Sequence, residues 1–320
     1  MRIAVMGTGA VGGYFGARLA EAGEDVVFLA RGDHLDAIRG SGLRLESVAG
    51  DVVLQPARAT DDPASAAPVD CVLVAVKSWQ LPEASKALVP LAEGETFVVP
   101  LLNGVEAPET LGRDLGPERV LGGLCGLIAF RDAPGMIRHT GADPWITFGE
   151  LEGRRTDRSR ALLEALERCT GVRATLSDDI VTAMWEKFLF IASIGGVGAA
   201  TRAPIGALRA VPETRRLLEA AMREVLAVAG ARGVPLDGAA VERAMALVDS
   251  MPSEGTSSMQ RDVMAGRRSE LDAWNGAVVR LGAEVGVDAP VHRALYALLL
   301  PQELRARGEL EFPEPSGLRP

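Results

Sequence analysis

The sequence contains few of the residues that build disulfide frameworks or metal centres. Its 320 residues include only three cysteines and three histidines. Neither set forms a C-x-x-C or H-E-x-x-H pattern, so the spacing indicates neither paired disulfides nor a zinc site. We therefore predict no metal, and reduced thiols in a cytoplasmic protein. The residues concerned are Cys71, Cys125, Cys169, His34, His139 and His292.

Long apolar runs and clusters of positive charge are also missing. No segment approaches the roughly 20 uninterrupted apolar residues that cross a bilayer. The apolar N-terminus is broken by glycines and lacks a small-residue cleavage pattern, which argues against a signal peptide. Because the net charge is -9 and no block is rich in lysine and arginine, we expect no nucleic-acid or membrane partner.

The most informative feature that is present is a G-x-G-x-x-G turn. It lies between the apolar residues 3–5 and a helix-like stretch over residues 10–22. The first glycine of such a turn permits a tight bend, and the second lets the backbone approach a pyrophosphate. The third allows close packing of a helix whose N-terminus attracts the anion. We predict a dinucleotide site formed by Gly7, Thr8, Gly9, Ala10, Val11 and Gly12.

The next strand pattern bears on the choice of cofactor. Residues 25–30 form an apolar run that ends at Arg31, where an NAD-binding fold would carry Asp or Glu for the ribose hydroxyls. A guanidinium at this point can bind a 2′-phosphate and stack on adenine, so the sequence favours NADP(H) over NAD(H). The alternative is that Arg31 is a solvated loop residue.

The first half of the chain alternates between strands and helices. The apolar runs 70–76 and 96–99 are typical of buried parallel strands. They end near Lys77 and Asn103, at the strand ends where open α/β sheets bind their ligands. These two residues are therefore further candidates for the binding site.

Other strand patterns lie between and after these runs. Residues 43–45 and 52–54 predict a small hairpin. Residues 119–151 contain further strands without a helix long enough to cross between them. This pattern predicts an antiparallel extension of the sheet.

From residue 177 onward the pattern becomes almost wholly helical. The fold class is therefore α/β, with an N-terminal Rossmann-like dinucleotide-binding domain over residues 1–170 and an all-helical C-terminal domain over residues 171–320. We expect the Pro/Gly-rich tail, residues 312–320, to be a loose terminus. The predicted helices cover residues 180–193, 213–231, 236–248, 269–285 and 289–299.

Two clusters stand out in the helical half. The first places Lys187 on an otherwise apolar helix pattern, and the second places Ser258 and Glu270 twelve residues apart before an apolar helix face. The residues alone leave other interpretations open. A lysine on an apolar helix usually extends its ammonium to water, and an acid in the first turn of a helix is favoured by the helix dipole.

Together these motifs resemble the ketopantoate reductase (2-dehydropantoate 2-reductase) family over nearly the whole chain. The matching segments occur in the family's order, and the set is far more specific than any one of them. The resemblance implies a Rossmann-like domain followed by an all-helical domain. The segments are the turn 7–12, Arg31, Lys77, residues 102–105, 185–187, 257–259, Asp262, 269–272 and 275–278.

The resemblance also implies a reaction. It implies NADPH-dependent reduction of a 2-oxo acid to a 2-hydroxy acid, with the lysine matched by Lys187 as general acid. A nearby ammonium stabilises the charge that hydride transfer leaves on oxygen and donates the proton. Because an ordinary lysine pKa lies near about 10.4, we expect burial to lower the pKa of this one.

The same resemblance gives roles to four further residues. Glu270 would contact the substrate and position it relative to Lys187, as the second catalytic residue. Ser258 would bind the substrate carboxylate or hydroxyl, and Asn103 would hydrogen-bond the cofactor or the substrate. Lys77 would add positive charge beside the nicotinamide. An anionic 2-oxo acid needs such donors because its carboxylate must be desolvated.

The chain departs from the family's pattern at two positions. In the ketopantoate-specific pattern, asparagines stand four and eight residues after the lysine, but here those positions are Ile191 and Gly195. Ile191 cannot hydrogen-bond a substrate and Gly195 removes a side chain, so we expect a more apolar and wider pocket. The missing polar contacts could come instead from Ser193 or Ser257.

Three functions therefore remain open. The first is a ketopantoate reductase of pantothenate biosynthesis, and the second is a paralogue that acts on a more hydrophobic 2-oxo acid. The third is an NADPH-binding regulator without turnover. Amphipathic stretches in the helical half, such as residues 219–229, also lead us to predict a homodimer.

Overall fold

The computed structural model describes residues 1–312, except for the side chain of Ala142. The predicted loose tail lies, apart from Phe312, outside the described residues. The chain divides into two compact units, of which the first is Met1–Met184 and the second begins at Trp185.

Strands are confined to the first unit of the described chain. Four of them, Arg2–Met6, Asp25–Leu29, Cys71–Val74 and Phe97–Pro100, are mainly buried apolar runs, the pattern that favours a sheet covered on both faces. The strands are β1 (Arg2–Met6), β2 (Asp25–Leu29), β3 (Leu43–Ser47), β4 (Val52–Leu54), β5 (Arg58–Thr60), β6 (Cys71–Val74), β7 (Phe97–Pro100), β8 (Leu121–Ala133), β9 (Met136–Glu150) and β10 (Arg173–Leu176).

The helices lie in both units, and their ends follow local sequence signals. Proline occupies the first or second position of four helices, where its missing N–H has no intrahelical partner to lose. These helices are Leu81–Ala87, Ala107–Leu115, Pro212–Ala231 and Pro290–Ala306. The helices are α1 (Ala10–Glu21), α2 (Gly32–Ser41), α3 (Leu81–Ala87), α4 (Ala107–Leu115), α5 (Asp157–Glu167), α6 (Ile180–Thr201), α7 (Ile205–Ala210), α8 (Pro212–Ala231), α9 (Ala240–Ser250), α10 (Ser258–Met264), α11 (Ala277–Glu284) and α12 (Pro290–Ala306).

One sheet of the first unit is wholly parallel. Its strand order is β5-β2-β1-β6-β7, and Ile3 of β1 is paired with Val26 on one side and Cys71 on the other. Helices alternate with these strands along the chain, so the predicted Rossmann-like fold is confirmed. The order also places the ends of β1, β2, β6 and β7 side by side at the carboxyl edge of the sheet.

The remaining strands form a second sheet. Its order is β10-β9-β3-β4, and β8 pairs with β9 in antiparallel fashion. The hairpin of β3 and β4 is confirmed, as is the antiparallel pairing within residues 119–151. The predicted extension of the first sheet is wrong, because the two sheets share only the single bridge between Val98 and Val120.

Helix α1 explains why a second sheet is needed. Its side chains are buried around much of its circumference, including Tyr14, Phe15 and Leu19 at 0% exposure. A helix that is apolar on several faces must be covered on several sides. The second sheet supplies part of this cover, since a Cβ added at Gly13 would lie 2.6 Å from Ile137 of β9.

The division between the units falls later in the chain than the predicted position after residue 170. Strand β10 pairs in parallel with β9, with Arg173 opposite Trp145 and Leu176 opposite Phe148. These residues therefore complete the second sheet, and the first unit continues to Met184.

The second unit is helical throughout its described part, which confirms the predicted all-helical C-terminal half. One of the predicted helices, residues 269–285, instead begins with a π-helical turn, Asp272–Gly276, which leads directly into α11. In this turn the amide of Gly276 donates to the carbonyl of Leu271 over 3.0 Å. The short helices α7 and α10 have no counterpart among the predicted elements.

Helix α6 is the one helix of the described chain that is long and apolar enough to cross a membrane. Its most apolar window is 61% buried inside the protein. The buried core helix of a soluble protein satisfies the same criteria of length and composition, so these criteria alone are weak evidence for a membrane span.

Candidate active site

The glycine turn after β1 has the geometry that its sequence predicts. Gly7 has a φ of 93°, and its amide donates to the carbonyl of Leu29 over 3.2 Å. A Cβ at Gly7 would lie 2.8 Å from a methyl of Val76, so both the backbone conformation and the space require glycine. The hydroxyl of Thr8 also donates to Leu29, over 3.1 Å.

The other two glycines of the turn have opposite surroundings. A Cβ at Gly12 would lie 2.2 Å from the carbonyl oxygen of Gly7, whereas a Cβ at Gly9 would meet no atom within 4 Å. Gly12 therefore packs the helix against the turn, and Gly9 leaves an open approach to the backbone. Helix α1 begins at Ala10, and the first amides of an α-helix, here those of Ala10 and Val11, have no intrahelical partner. These features fit a dinucleotide pyrophosphate.

His34 hydrogen-bonds the backbone of this turn at Thr8. Sequence reasoning did not identify this role. Its ring is buried on α2, and its Nδ1 accepts a hydrogen bond from the amide of Gly135 over 2.9 Å. The proton is therefore on Nε2, which donates to the carbonyl of Thr8 over 2.6 Å. Burial lowers the pKa of His34, although its bond to Thr8 acts in the opposite direction. No local sequence signal marks this role, because the partners lie 26 and 101 residues away.

Three further predicted residues lie at the same edge of the parallel sheet. Arg31 follows β2, Lys77 follows β6 and Asn103 follows β7. The ammonium of Lys77 lies 5.7 Å from the centre of the Trp79 ring, and Asn103 is half-buried. The topology thus brings these residues to the strand ends beside the glycine turn.

Arg31 is engaged by a residue that the sequence analysis did not consider. Its Nη1 lies 2.7 Å from Oε1 of Glu83 on α3, and both side chains are exposed. Arg31 also stands immediately before the first residue of α2. The guanidinium of Arg31 therefore lies at the surface beside β2, where a ligand can reach it, and is paired with the carboxylate of Glu83.

In the second unit, Lys187 lies on α6 among apolar neighbours. It is half-buried, and Trp185 and Phe188 on either side of it are buried with their rings in edge-to-face contact at 5.7 Å. The preceding residue, Glu186, forms an ion pair with Arg243 of α9. The helix thus carries a charged pair beside a partly enclosed lysine.

Glu270 is only 6% exposed. The residues before and after it in the sequence, Ser269 and Asp272, are fixed by hydrogen bonds. On one side, the amide and hydroxyl of Ser269 donate to Oε2 of Glu303, over 2.9 and 2.6 Å. On the other side, Asp272 accepts hydrogen bonds from Tyr296 over 2.7 Å and from Arg307 over 2.5 Å. Helix α12 therefore fixes the segment that carries Glu270.

Electrostatics reinforce this network. Burial acts to raise the pKa of Asp272, but the hydrogen bonds from Tyr296 and Arg307 outweigh it and hold the pKa below its usual value. Burial and the bond to Asp272 raise the pKa of Tyr296 to about 12. Arg307 also donates to Glu303 over 2.8 Å, so a single guanidinium joins the two acids.

The structure corrects the expected effect of Gly195. A Cβ at this position would lie 2.6 Å from two carbons of the Trp274 ring and 3.3 Å from the methyl of Met259. The space of the missing side chain is therefore filled, and the prediction of a wider pocket at Gly195 is wrong. Ile191 is half-buried, and the atoms that surround Gly195 are apolar.

Two neighbouring glycines of α6 also allow close contacts. A Cβ at Gly196 would lie 2.4 Å from the amide nitrogen of Asn275, and one at Gly198 would lie 2.7 Å from the amide oxygen of Gln260. The side chain of Asn275 donates to the carbonyl of Ala192 over 3.2 Å. This glycine-rich stretch of α6 thus packs directly against the segments that follow Ser258 and Glu270.

The serines proposed as replacement donors are largely engaged within the protein. Ser193 is fully buried and its hydroxyl donates to the carbonyl of Leu189 over 2.8 Å, which removes it as a donor to substrate. The hydroxyl of Ser257 caps α10 by accepting from the amide of Gln260 over 3.0 Å. Ser258, the first residue of that helix, is half-buried.

Among residues 1–312, no group of three or more His, Cys, Asp or Glu side chains has the arrangement of a metal site. The three cysteines form no disulfide bonds and are all buried. Burial raises the pKa of Cys169 to about 12, so this thiol is protonated at neutral pH.

Comparison with protein families decides which family these features represent. A model described as "Ketopantoate reductase PanE/ApbA" matches residues 3–153, and its C-terminal counterpart matches residues 179–303. The chain belongs to the ketopantoate reductase family. The resemblance seen in the motifs is therefore confirmed.

Individual relatives match almost the whole of this chain. An uncharacterised oxidoreductase, YkpB of Bacillus subtilis, is 35% identical over 301 residues, which are 93% of this chain and 98% of the relative. The crystal structure of 2-dehydropantoate 2-reductase from Geobacter metallireducens superposes with a TM-score of 0.86 at 34% identity, covering 94% and 99% of the two chains.

A structure with lower sequence identity is similar to this chain in fold alone. D-mandelate dehydrogenase in a ternary complex with NADH and anilino(oxo)acetate superposes with a TM-score of 0.86 at 22% identity, covering 96% and 99% of the chains. The ketopantoate reductase fold is thus common to proteins described by different substrates. Membership of the family establishes the class of oxidoreductase.

Proposed function

We propose that this protein uses NADPH to reduce a 2-oxo acid to a 2-hydroxy acid, and that the substrate is 2-dehydropantoate (ketopantoate), which it converts to pantoate in pantothenate biosynthesis. The observation that supports the proposal is the burial of two ionisable residues, Lys187 and Glu270, to which the resemblance to the family assigns the catalytic roles. Lys187 lies on an apolar helix and Glu270 is almost fully buried. Charged groups are costly to bury unless they are paired, and buried ionisable groups are concentrated at functional sites.

NADPH, when bound, would supply the hydride for the carbonyl carbon of the substrate. Lys187 then protonates the carbonyl oxygen, and its ammonium stabilises the negative charge that develops there. Glu270 and Ser258 orient the substrate, with Ser258 donating to its carboxylate or hydroxyl. Asn103 contributes a hydrogen bond to cofactor or substrate.

The choice of NADPH rests on Arg31. Its guanidinium can donate two hydrogen bonds to a 2′-phosphate, and it lies at the end of β2, where a Rossmann-like fold discriminates between the two cofactors. Lys77, at the end of β6, adds a second positive charge at this edge. The pyrophosphate would lie against the residues 7–12.

A second substrate class is favoured by one specific observation. Of the positions four and eight residues beyond Lys187, Ile191 carries a half-buried apolar side chain and Gly195 packs against the buried Trp274 ring, so neither offers a side-chain hydrogen bond. An apolar surface loses the hydrogen bonds that a hydroxylated substrate requires and accommodates a hydrocarbon side chain instead. The alternative is therefore a reductase of more apolar 2-oxo acids.

The test is NADPH oxidation by the purified protein with ketopantoate beside a panel of apolar 2-oxo acids. We expect turnover that Lys187→Ala reduces by about 10²- to 10⁴-fold, the usual contribution of a general acid. Lys86→Ala is the matched control, because Lys86 is an exposed lysine on α3. Its turnover should equal that of the wild type.

The outcomes separate the three functions. Preference for ketopantoate supports the pantothenate assignment, and preference for an apolar acid establishes the alternative. Tight NADPH binding without turnover on any acid would overturn both and leave the NADPH-binding regulator. Turnover that survives Lys187→Ala would remove Lys187 as the general acid.

We further propose that the enzyme is cytoplasmic and forms a homodimer. The dimer is tested by light scattering at working concentration. A mass equal to the 33.7 kDa of one chain would contradict it.

A further inference from the structure

The ion pair between Arg31 and Glu83 lies across the strand that carries the glycine turn. Arg31 follows β2, and Glu83 lies on α3, the helix that follows β6. In the sheet, β1 lies between β2 and β6. The 2.7 Å contact between Nη1 and Oε1 therefore connects the two sides of the end of β1.

The adenosine half of a dinucleotide would have to meet this pair. A pyrophosphate at the N-terminus of α1 sends the adenosine toward the end of the neighbouring strand β2, where the ribose is recognised. The pair is also open to solvent, with 64% and 69% of the two side chains exposed. A ligand can thus reach Arg31 and Glu83 without disturbing the core.

The two cofactors make opposite demands on the pair. A 2′-phosphate carries about two negative charges and binds a guanidinium through two donors, of which Glu83 now engages Nη1. It is also repelled by the carboxylate. A ribose 2′-hydroxyl can instead donate to the carboxylate while the ion pair stays intact, which is the role of the acid in NAD-binding folds.

We propose that Glu83 is a cofactor-discriminating residue: it competes with the 2′-phosphate for Arg31 and accepts a hydrogen bond from the 2′-hydroxyl. It therefore reduces the preference for NADP(H) over NAD(H) that Arg31 creates. This inference rests on the proposed role of Arg31 in cofactor binding. The pair as a whole admits both cofactors, with Arg31 serving one and Glu83 the other.

The expected effect is moderate. Exposed ion pairs are weak because solvent screens them and two long side chains must be ordered. Removing the charge of Glu83 while keeping its shape should therefore tighten binding of a 2′-phosphate by about twofold to fivefold. Binding of a ligand with a free 2′-hydroxyl should stay equal or become weaker.

Calorimetric titration with 2′,5′-ADP and with 5′-AMP isolates this part of the cofactor from turnover. The variants are Glu83→Gln and Arg31→Ala. Glu109→Gln is the matched control, because Glu109 is an exposed acid in the first turn of α4, 3.7 Å from an arginine one turn later. Thermal unfolding of each variant verifies that the fold is retained.

The expected result is tighter binding of 2′,5′-ADP, but not of 5′-AMP, in Glu83→Gln alone. Equal tightening for both ligands would reveal a general charge effect and overturn the inference. No change, or weaker binding of 2′,5′-ADP, would overturn it as well. The same change in Glu109→Gln would show that position 83 has no special role.

The Arg31 variant separates this inference from the proposed cofactor. If Arg31→Ala leaves the ratio of the affinities for 2′,5′-ADP and 5′-AMP unchanged, the NADP(H) assignment through Arg31 fails. Glu83 would then have no interaction between Arg31 and a 2′-phosphate to compete with. If the wild type shows no preference but Glu83→Gln creates one, the role of Glu83 stands while the NADP(H) preference of the native protein fails.

Discussion

The two units use glycine in opposite ways. At Gly9 in the first unit the space beside the backbone is open, whereas at Gly195 in the second unit it is filled by Trp274. Both residues are glycines within or beside a helix near a predicted site. The comparison shows that an absent side chain is a vacancy only where no distant segment packs into it.

The largest effect is expected from adding a methyl group at Gly12, inside the glycine turn of the first unit. In Gly12→Ala the new methyl would lie 2.2 Å from the backbone carbonyl of Gly7, and a backbone atom cannot rotate aside. We expect a loss of about 3 kcal/mol in the free energy of unfolding, measured by urea denaturation. The helix propensity of alanine offsets less than about 1 kcal/mol of this. Unchanged stability would show that α1 can move away from the turn.

A smaller loss is expected from placing an asparagine at Gly195, as in the ketopantoate-specific pattern. Gly195→Asn should destabilise the protein by about 2 kcal/mol, because the ring of Trp274 must move. Adding Trp274→Leu should recover part of that loss, which a double-mutant cycle measures. Gly230→Asn is the control, since Gly230 is an exposed helical glycine with no atom within 4 Å of an added Cβ. Additive effects would mean that Trp274 does not occupy this space.

Substitution of Gly9 should change the affinity for the cofactor rather than the free energy of unfolding. In Gly9→Ala the methyl meets no protein atom within 4 Å, so the free energy of unfolding should change by less than about 0.5 kcal/mol. The methyl would instead stand in the path of the pyrophosphate, and affinity for NADPH should fall more than about tenfold. Unaltered affinity in a titration of nucleotide fluorescence would show that the cofactor does not approach this residue.

The smallest expected effect is a pH dependence of stability that arises from His34, the residue that hydrogen-bonds the glycine turn. Burial holds the pKa of His34 below its usual 6.5, so the native protein binds fewer protons than the unfolded chain between the two pKa values. Stability is then fully present above about pH 6.5 and declines as the pH falls toward the folded pKa. Urea denaturation between pH 8 and pH 5 measures this slope, and His34→Gln should flatten it. An equal slope in the variant would place its origin in other groups.

The parts of the fold that sequence could predict are those with local signals. The turn 7–12, its flanking strand and helix, and the helices of the second half all follow from residues close in the chain. The attachment of β9 to β3 does not, because Leu45 and Ile137 pair across 92 residues and no local pattern specifies that partner. The antiparallel pairing of β8 and β9 was predictable, but the sheet they join was not.

The candidate site shows the same division. Arg31 and Lys77 were predictable because each follows an apolar strand, and Lys187 and Glu270 because a family resemblance identifies them. The roles of Glu83, His34 and Trp274 depend on contacts with residues 26 to 101 positions away. Their chemistry is ordinary, and only the folded chain brings each one to its partner.

The π-helical turn Asp272–Gly276 makes chain length itself a determinant of this region. Its bond from Gly276 to Leu271 spans five residues, one more than an α-helix uses. The turn therefore holds one residue more than an α-helix would place between Leu271 and Gly276, and α11 follows it directly. Removing one of its residues would convert it to α-helical geometry and redistribute Trp274 and Asn275, which now contact the glycines of α6, around its axis. The packing of this segment against α6 thus depends on the number of residues in the turn as well as on their identity.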